Sequence, residues 1–186
     1  MIALIASLVI ATNAAPAEAL ACCRSMLPDD VVIEGRVILR NRRGIVQLER
    51  PYVLRREKGV TTVDIDDETL AGTDVKKGDL ALEYLWWDDC SYDAGGDSDT
   101  VHGQSCAVLR LKKDRREMKV WVDRRTGALM QAEELEGDKS VRRLWGTRIK
   151  KFDTRWMANV MEVETLGSGH RTKITVEKLL VEDARK

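Results

Sequence analysis

The sequence predicts an α+β domain, mainly antiparallel β-sheet, in which one hairpin follows another. Apolar and polar residues alternate over run after run, the period of a strand with one buried face. Turn residues of the Gly, Asn and Asp kind punctuate those runs at short intervals, as consecutive hairpins require. The 186 residues suffice for one core and are too few for two ordinary domains. Lys119 to Glu133 is the clearest unit: Val120 and Val122 alternate with Trp121 and Asp123, Gly127 closes a polar turn, and a second strand returns.

From the start, Met1 to Ala11 carries no charge and is apolar apart from Ser7, and Ala15-Pro16-Ala17 fits a signal-peptidase site. The apolar run is short for a bilayer span. Residues 1–17 are therefore expected to be an export signal and 18–186 the domain, although no Lys or Arg precedes the run. Glu18 to Met26 has helical composition, with Pro28 to end it. Val31 to Arg40 puts Ile33, Gly35, Val37 and Leu39 on one parity, against Glu34, Arg36 and Arg40 on the other. After a turn at Asn41-Arg42-Arg43-Gly44, Ile45 to Arg56 returns, and Pro51 within it calls for a sheet edge or a bulge. Lys58-Gly59 leads into a strand from Val60 to Ile65.

Thr69 to Gly78 reads as a loop with one helical turn. Asp79 to Trp87 is short and nearly continuous in apolar content, so helix and strand both fit it. Asp88 to Asp99 is a polar, Gly-rich loop. Val101 to Lys112 and Glu117 to Asp123 are strands, followed by the Gly127 hairpin, Val141 to Phe152, Asp153 to Glu164 and, past Gly167-Ser168-Gly169, Thr172 to Glu177. The sum is about ten antiparallel strands with an N-terminal helix.

Lys plus Arg and Asp plus Glu both number 31, so the net charge is zero, which argues against a nucleic-acid partner, since that wants a basic excess. The basic pairs Arg42-Arg43, Lys112-Lys113, Arg115-Arg116, Arg124-Arg125 and Arg142-Arg143 have acidic neighbours and read as solvated surface rather than as headgroup contacts. Only two histidines are present, His102 and His170. No nucleophile elbow, phosphate loop or His-Glu-x-x-His pair occurs, so no catalytic residue is assigned. Asp88, Asp89, Asp93, Asp97 and Asp99 do not keep calcium-loop spacing, and His102 with Cys90 and Cys106 does not keep zinc spacing, so no metal or cofactor is expected.

Among four cysteines, Cys22 and Cys23 are adjacent and poorly placed to bridge each other. Cys90 and Cys106 flank the 91–105 loop and are the candidate disulfide of an exported chain; the alternative is four thiols packed as small apolar groups. Leu20-Ala21-Cys22 resembles a lipobox, but Pro16 and Glu18 interrupt the apolar run before it, which makes a lipid anchor at Cys22 the lesser reading.

The order and wording of several segments resemble the LolA-like outer-membrane lipoprotein-sorting family. These are Leu27 to Gly35, Gly72-Thr73-Asp74 with Asp79-Leu80, Leu85-Trp86-Trp87 with Gly103-Gln104-Ser105-Cys106, Val120-Trp121-Val122-Asp123 with Thr126-Gly127, and Asp153-Thr154-Arg155-Trp156 with Met161-Glu162. The matches run in order from Leu27 to Val181. The resemblance implies an unclosed, curved half-barrel with helices covering its concave face. It also implies a periplasmic role: holding lipoprotein acyl chains in an apolar cavity between inner- and outer-membrane sorting partners. On that basis Val37, Leu39, Met118, Val120, Val122, Met157, Met161 and Val163, inward by strand parity, are the expected lipid-binding residues. Each of them also has the ordinary role of packing the domain's own helices. Trp86, Trp87, Trp121, Trp145 and Trp156 fit either a cavity mouth or plain core. A non-enzymatic interaction or stress-sensing module of the cell envelope, with the same fold and a protein ligand, is the second reading.

Overall fold

The alternating runs become eleven strands in one antiparallel sheet. The computed structural model describes residues 14–27, 29–152 and 155–181. Most of the expected export signal, and Pro28, lie outside the described residues. The first helix, α1 (Pro16–Ser25), opens with Pro16 in its first turn, and the Glu18 carboxylate accepts from the Ala15 amide. Proline there wastes no hydrogen bond, because the first amides of a helix have no internal acceptor.

The strands β1 (Val31–Arg40), β2 (Val46–Glu57) and β3 (Val60–Asp64) form the first meander. Two short helices follow, α2 (Asp67–Ala71) and α3 (Lys77–Ala81), then a 3-10 turn at Glu83–Trp86. The rest is β4 (Asp89–Tyr92), β5 (Ser98–Val101), β6 (Gln104–Lys113), β7 (Arg116–Asp123), β8 (Leu129–Glu136), β9 (Lys139–Phe152), β10 (Arg155–Thr165) and β11 (Arg171–Val181).

One segment differs from the sequence reading, and one that it left open is settled. The Asp88 to Asp99 loop contains β4 and the start of β5, which share the outer edge of β6 end to end. Asp79 to Trp86 is helical, broken by Leu82 in the left-handed region at φ 49°. Helix wins there because the Asp79 carboxylate accepts the Lys76 amide and starts a turn, and because the segment lies across the sheet rather than within it. Pro51 behaves as required. It faces Arg36 of β1, while β3 pairs with β2 only from Val53 onward, so its missing N–H falls on a free edge.

The path runs β3-β2-β1-β11-β10-β9-β8-β7-β6-β4, which places the first and last strands of the chain side by side in mid-sheet. Ten flat strands would separate β3 from β4 by about 43 Å, at about 4.8 Å per step. Yet Val63 of β3 and Cys90 and Tyr92 of β4 pack on one continuous core with α1 and α3. The sheet must therefore curl around the helices, and its two ends do not pair: an unclosed half-barrel. Gly35 marks a bend, where the β1–β11 register shifts and an added Cβ would lie 2.0 Å from the Thr175 carbonyl oxygen and 2.7 Å from the Tyr52 ring.

The two faces carry separate cores. Met118, Val120 and Val122 of β7 join the large concave cluster, whereas Trp121 between them packs with Cys106, Val108 and Met130 on the convex side.

Candidate functional site

An apolar cavity of about 60 Å³ lies between the helices and the sheet. Val31, Ile33, Tyr52 and Leu54 form one wall, from β1 and β2, and Met157, Met161, Ile174 and Val176 form the floor, from β10 and β11. Cys23 of α1 and Met26 just past its end, with Leu80, Leu82 and Leu85, make the roof. The left-handed Leu82 breaks the helix between α3 and the 3-10 turn and lines the cavity at that break. An engineered apolar cavity that binds benzene measures about 150 Å³. The present cavity is smaller than that.

Polar clamps hold the roof down. The Asp79–Arg142 pair is 2 % and 6 % exposed, with Arg142 Nη2 donating to Asp79 Oδ1 at 2.9 Å. Arg142 also donates to the Asp74 carbonyl and to Glu134, which receives Lys76 at 2.8 Å as well. Asp74 accepts from the Thr172 hydroxyl at 3.0 Å and from the Thr165 amide at 3.1 Å. These bonds tie the α2–α3 connection to β8, β9, β10 and β11. On the other side the Arg24 guanidinium of α1 donates to the Leu85 and Trp87 carbonyls. Burial pushes the Glu134 carboxyl up, but hydrogen bonds from Lys76 and Arg142 outweigh it and hold the group below its ordinary value.

One cation on the cavity wall is only loosely paired. Arg56 follows Tyr52 and Leu54 on the concave parity of β2, is 4 % exposed, and stacks its guanidinium 3.5 Å from the Trp86 ring centre. Its Nε is buried without a hydrogen-bond acceptor; the nearest carboxylate, Asp29, is mostly exposed and 3.7 Å away. Burial holds its pKa below the usual arginine value, with Asp29 pulling the other way.

Of the eight expected lipid-binding residues, Met157 and Met161 line the cavity. Val37, Met118, Val120, Val122 and Val163 lie in the same concave core, closely covered and away from the cavity itself. Leu39 is half-buried toward the end of β1. Sequence reasoning did not nominate Leu54, Arg56, Ile174 or Val176. Arg56 was legible in principle, as a charge that ends an apolar parity.

Two further expectations are corrected. Cys90 and Cys106 are both free. Cys90 pairs opposite Leu111, five residues along β6 from Cys106, roughly 17 Å away at strand rise. The two thiols also belong to opposite faces, so no bridge is possible without unpairing the strands. Cys22 is 3 % exposed inside α1 and packed against Gly127. The Arg142-Arg143 pair is not plain surface either: Arg143 points outward to Glu133, but Arg142 is the buried clamp. Trp121 is core, donating its indole N–H to Asp99 at 3.0 Å on the convex side.

Among the described residues no group of three His, Cys, Asp or Glu could hold a metal ion, and no helix is long and apolar enough to cross a membrane.

A family model described as "Uncharacterized protein" matches residues 54–184. No curated protein matches the chain. Solved structures similar to it include a LolA superfamily protein from Nitrosomonas europaea, at 11% identity and a TM-score of 0.67 over 92% of this chain and 95% of that one. A DUF1329 family protein from Desulfovibrio piger is similar at 16% identity and a TM-score of 0.64, over 92% and 95%. An outer membrane lipoprotein-sorting protein domain from Vibrio parahaemolyticus is similar at 14% identity and 0.56, again over 92% and 95%. At these identities the likeness is one of fold.

Proposed function

We propose that this chain, which belongs to the family matched over residues 54–184 and has the LolA-like fold, is a non-enzymatic lipid-binding protein of the periplasm that holds acyl chains beneath its helices. The observation that carries this reading is the cavity itself: side chains from both halves of the sheet and from the roof segments converge on it, and most are apolar. Each methylene moved there from water gains about 0.8 kcal/mol, so a long chain supplies enough to displace the roof. Met26, Met157 and Met161 suit chains of varied shape, being unbranched and polarizable. The polar clamps give the roof a closed resting position, which keeps the apolar walls from water until a ligand arrives. Lipoprotein acyl chains, passed between inner- and outer-membrane partners, are the cargo this reading favours.

Native mass spectrometry of protein purified from the cell envelope tests it. A co-purified mass of lipid or acylated peptide, lost on mild delipidation, is the expected result. Protein that is always bare, and stays bare when mixed with acyl lipids, contradicts it.

A further inference from the structure

We propose that the cavity is built for an amphiphile whose headgroup is an anion, a carboxylate or a phosphate, seated on Arg56 with the acyl chain running on over Ile33 and Met161. The inference rests on the acyl-chain reading and adds a charge to its ligand. An arginine that is 4 % exposed on a mostly apolar wall is costly to keep, and a methionine there would fill the space without that cost. Its one ion pair, with Asp29 at 3.7 Å, is loose and leaves the buried Nε without an acceptor. Asp79, the acid on the cavity wall, is taken by Arg142. Asp29 lies on the outside, its side chain 78% exposed, and at 3.7 Å it is too far for a hydrogen bond to Nε. Arg24 adds a second positive charge near Arg56 while its own donors go to backbone carbonyls. Stacking on Trp86 fixes the guanidinium plane, which pre-orients its edge toward an oxyanion. The position suits a headgroup: Thr61 of the edge strand β3 faces Arg56 across the β2–β3 pair, and Met26 and Leu27 leave α1 beside it, so this is the rim of the cavity.

The test is displacement of N-phenyl-1-naphthylamine, an uncharged fluorescent probe, from the intact protein. Palmitate and its methyl ester are compared, as are phosphatidylglycerol and the zwitterionic phosphatidylcholine. A charge-assisted hydrogen bond is worth enough for the acid to outcompete its ester by roughly tenfold or more. Arg56→Met should level acid and ester, and Arg56→Lys should keep part of the preference. A preference for palmitate alone assigns a carboxylate headgroup; one shared by phosphatidylglycerol assigns a general anion site. Acid and ester displacing equally from the wild type would overturn the inference and leave the acyl-chain reading standing, whether or not the Met variant folds. Displacement by none of the four lipids would overturn both.

Discussion

At the scale of single residues, the Asp79–Arg142 pair is where charge and burial meet most sharply. Each partner is nearly sealed from water, and the attraction between them mainly offsets what burial costs. Removing one partner should therefore be worse than removing both. Arg142→Ala leaves a buried carboxylate and is expected to lower stability by about 3–5 kcal/mol. Asp79→Leu combined with Arg142→Met should cost clearly less, as urea titrations of the two variants will show. A pH effect follows from Glu134, whose folded pKa lies below its unfolded one. The stability it contributes is fully present above the ordinary carboxylate range and is lost as pH falls through the depressed value. Asp93 acts in the same direction: burial pushes it up, and Lys119 and Arg110 more than reverse that. Urea midpoints should thus fall between pH 5 and pH 3 and stay nearly flat from pH 6 to pH 8. These contacts were only half-visible in the sequence. Asp74 and Asp79 stood out through a family-like segment, but Arg142 lies 63 residues from Asp79, and adjacent basic residues look alike until strand parity turns one in and one out.

Among the elements, α1 depends on a close approach. Gly127 sits at φ +74° in the β7–β8 turn, and a Cβ there would come within 2.6 Å of the Cys22 sulfur. Gly127→Ala should therefore destabilise by about 1–3 kcal/mol through backbone strain alone. Adding Cys22→Ala should recover part of the loss, because it removes the clash and leaves the strain. Thermal melts of the four proteins of this cycle read the coupling, and strictly additive losses would mean that α1 does not press on the turn. The helix and most strands were legible because alternation and turn residues are local signals. Strands β4 and β5 were not: their residues are polar and few, and only the edge of β6 makes them strands. The helical state of Asp79 to Trp87 was open for a similar reason, since its apolar run is decided by what it covers.

For the molecule as a whole, the first and last strands meet in mid-sheet, so the half-barrel forms only when the chain is nearly complete. Parity told which residues face inward: Met118, Val120 and Val122 on one side of β7, Trp121 on the other. Parity does not tell depth. Whether an inward residue touches a helix or a cavity depends on where α1 and α3 come to rest, and that is set by partners distant in sequence. Hence only Met157 and Met161 of the nominated residues reach the cavity wall.

Met161 is therefore the place to test the claim that this cavity holds acyl chains. It is half-buried on the cavity floor, opposite Ile174 of β11 and Gly146 of β9. In Met161→Asp a carboxylate can reach water in the free protein, but an acyl chain over it would leave the charge desolvated, at a cost of several kcal/mol. Trp121→Phe, on the convex face, is the control. Displacement of a fluorescent fatty-acid probe, measured beside the thermal midpoint, is the direct measurement. The account predicts probe binding lost in Met161→Asp with the melt nearly unchanged, and binding kept in Trp121→Phe. A wild type that binds no probe, together with a Met161→Asp variant that fails to fold, would make this face plain core and contradict the account.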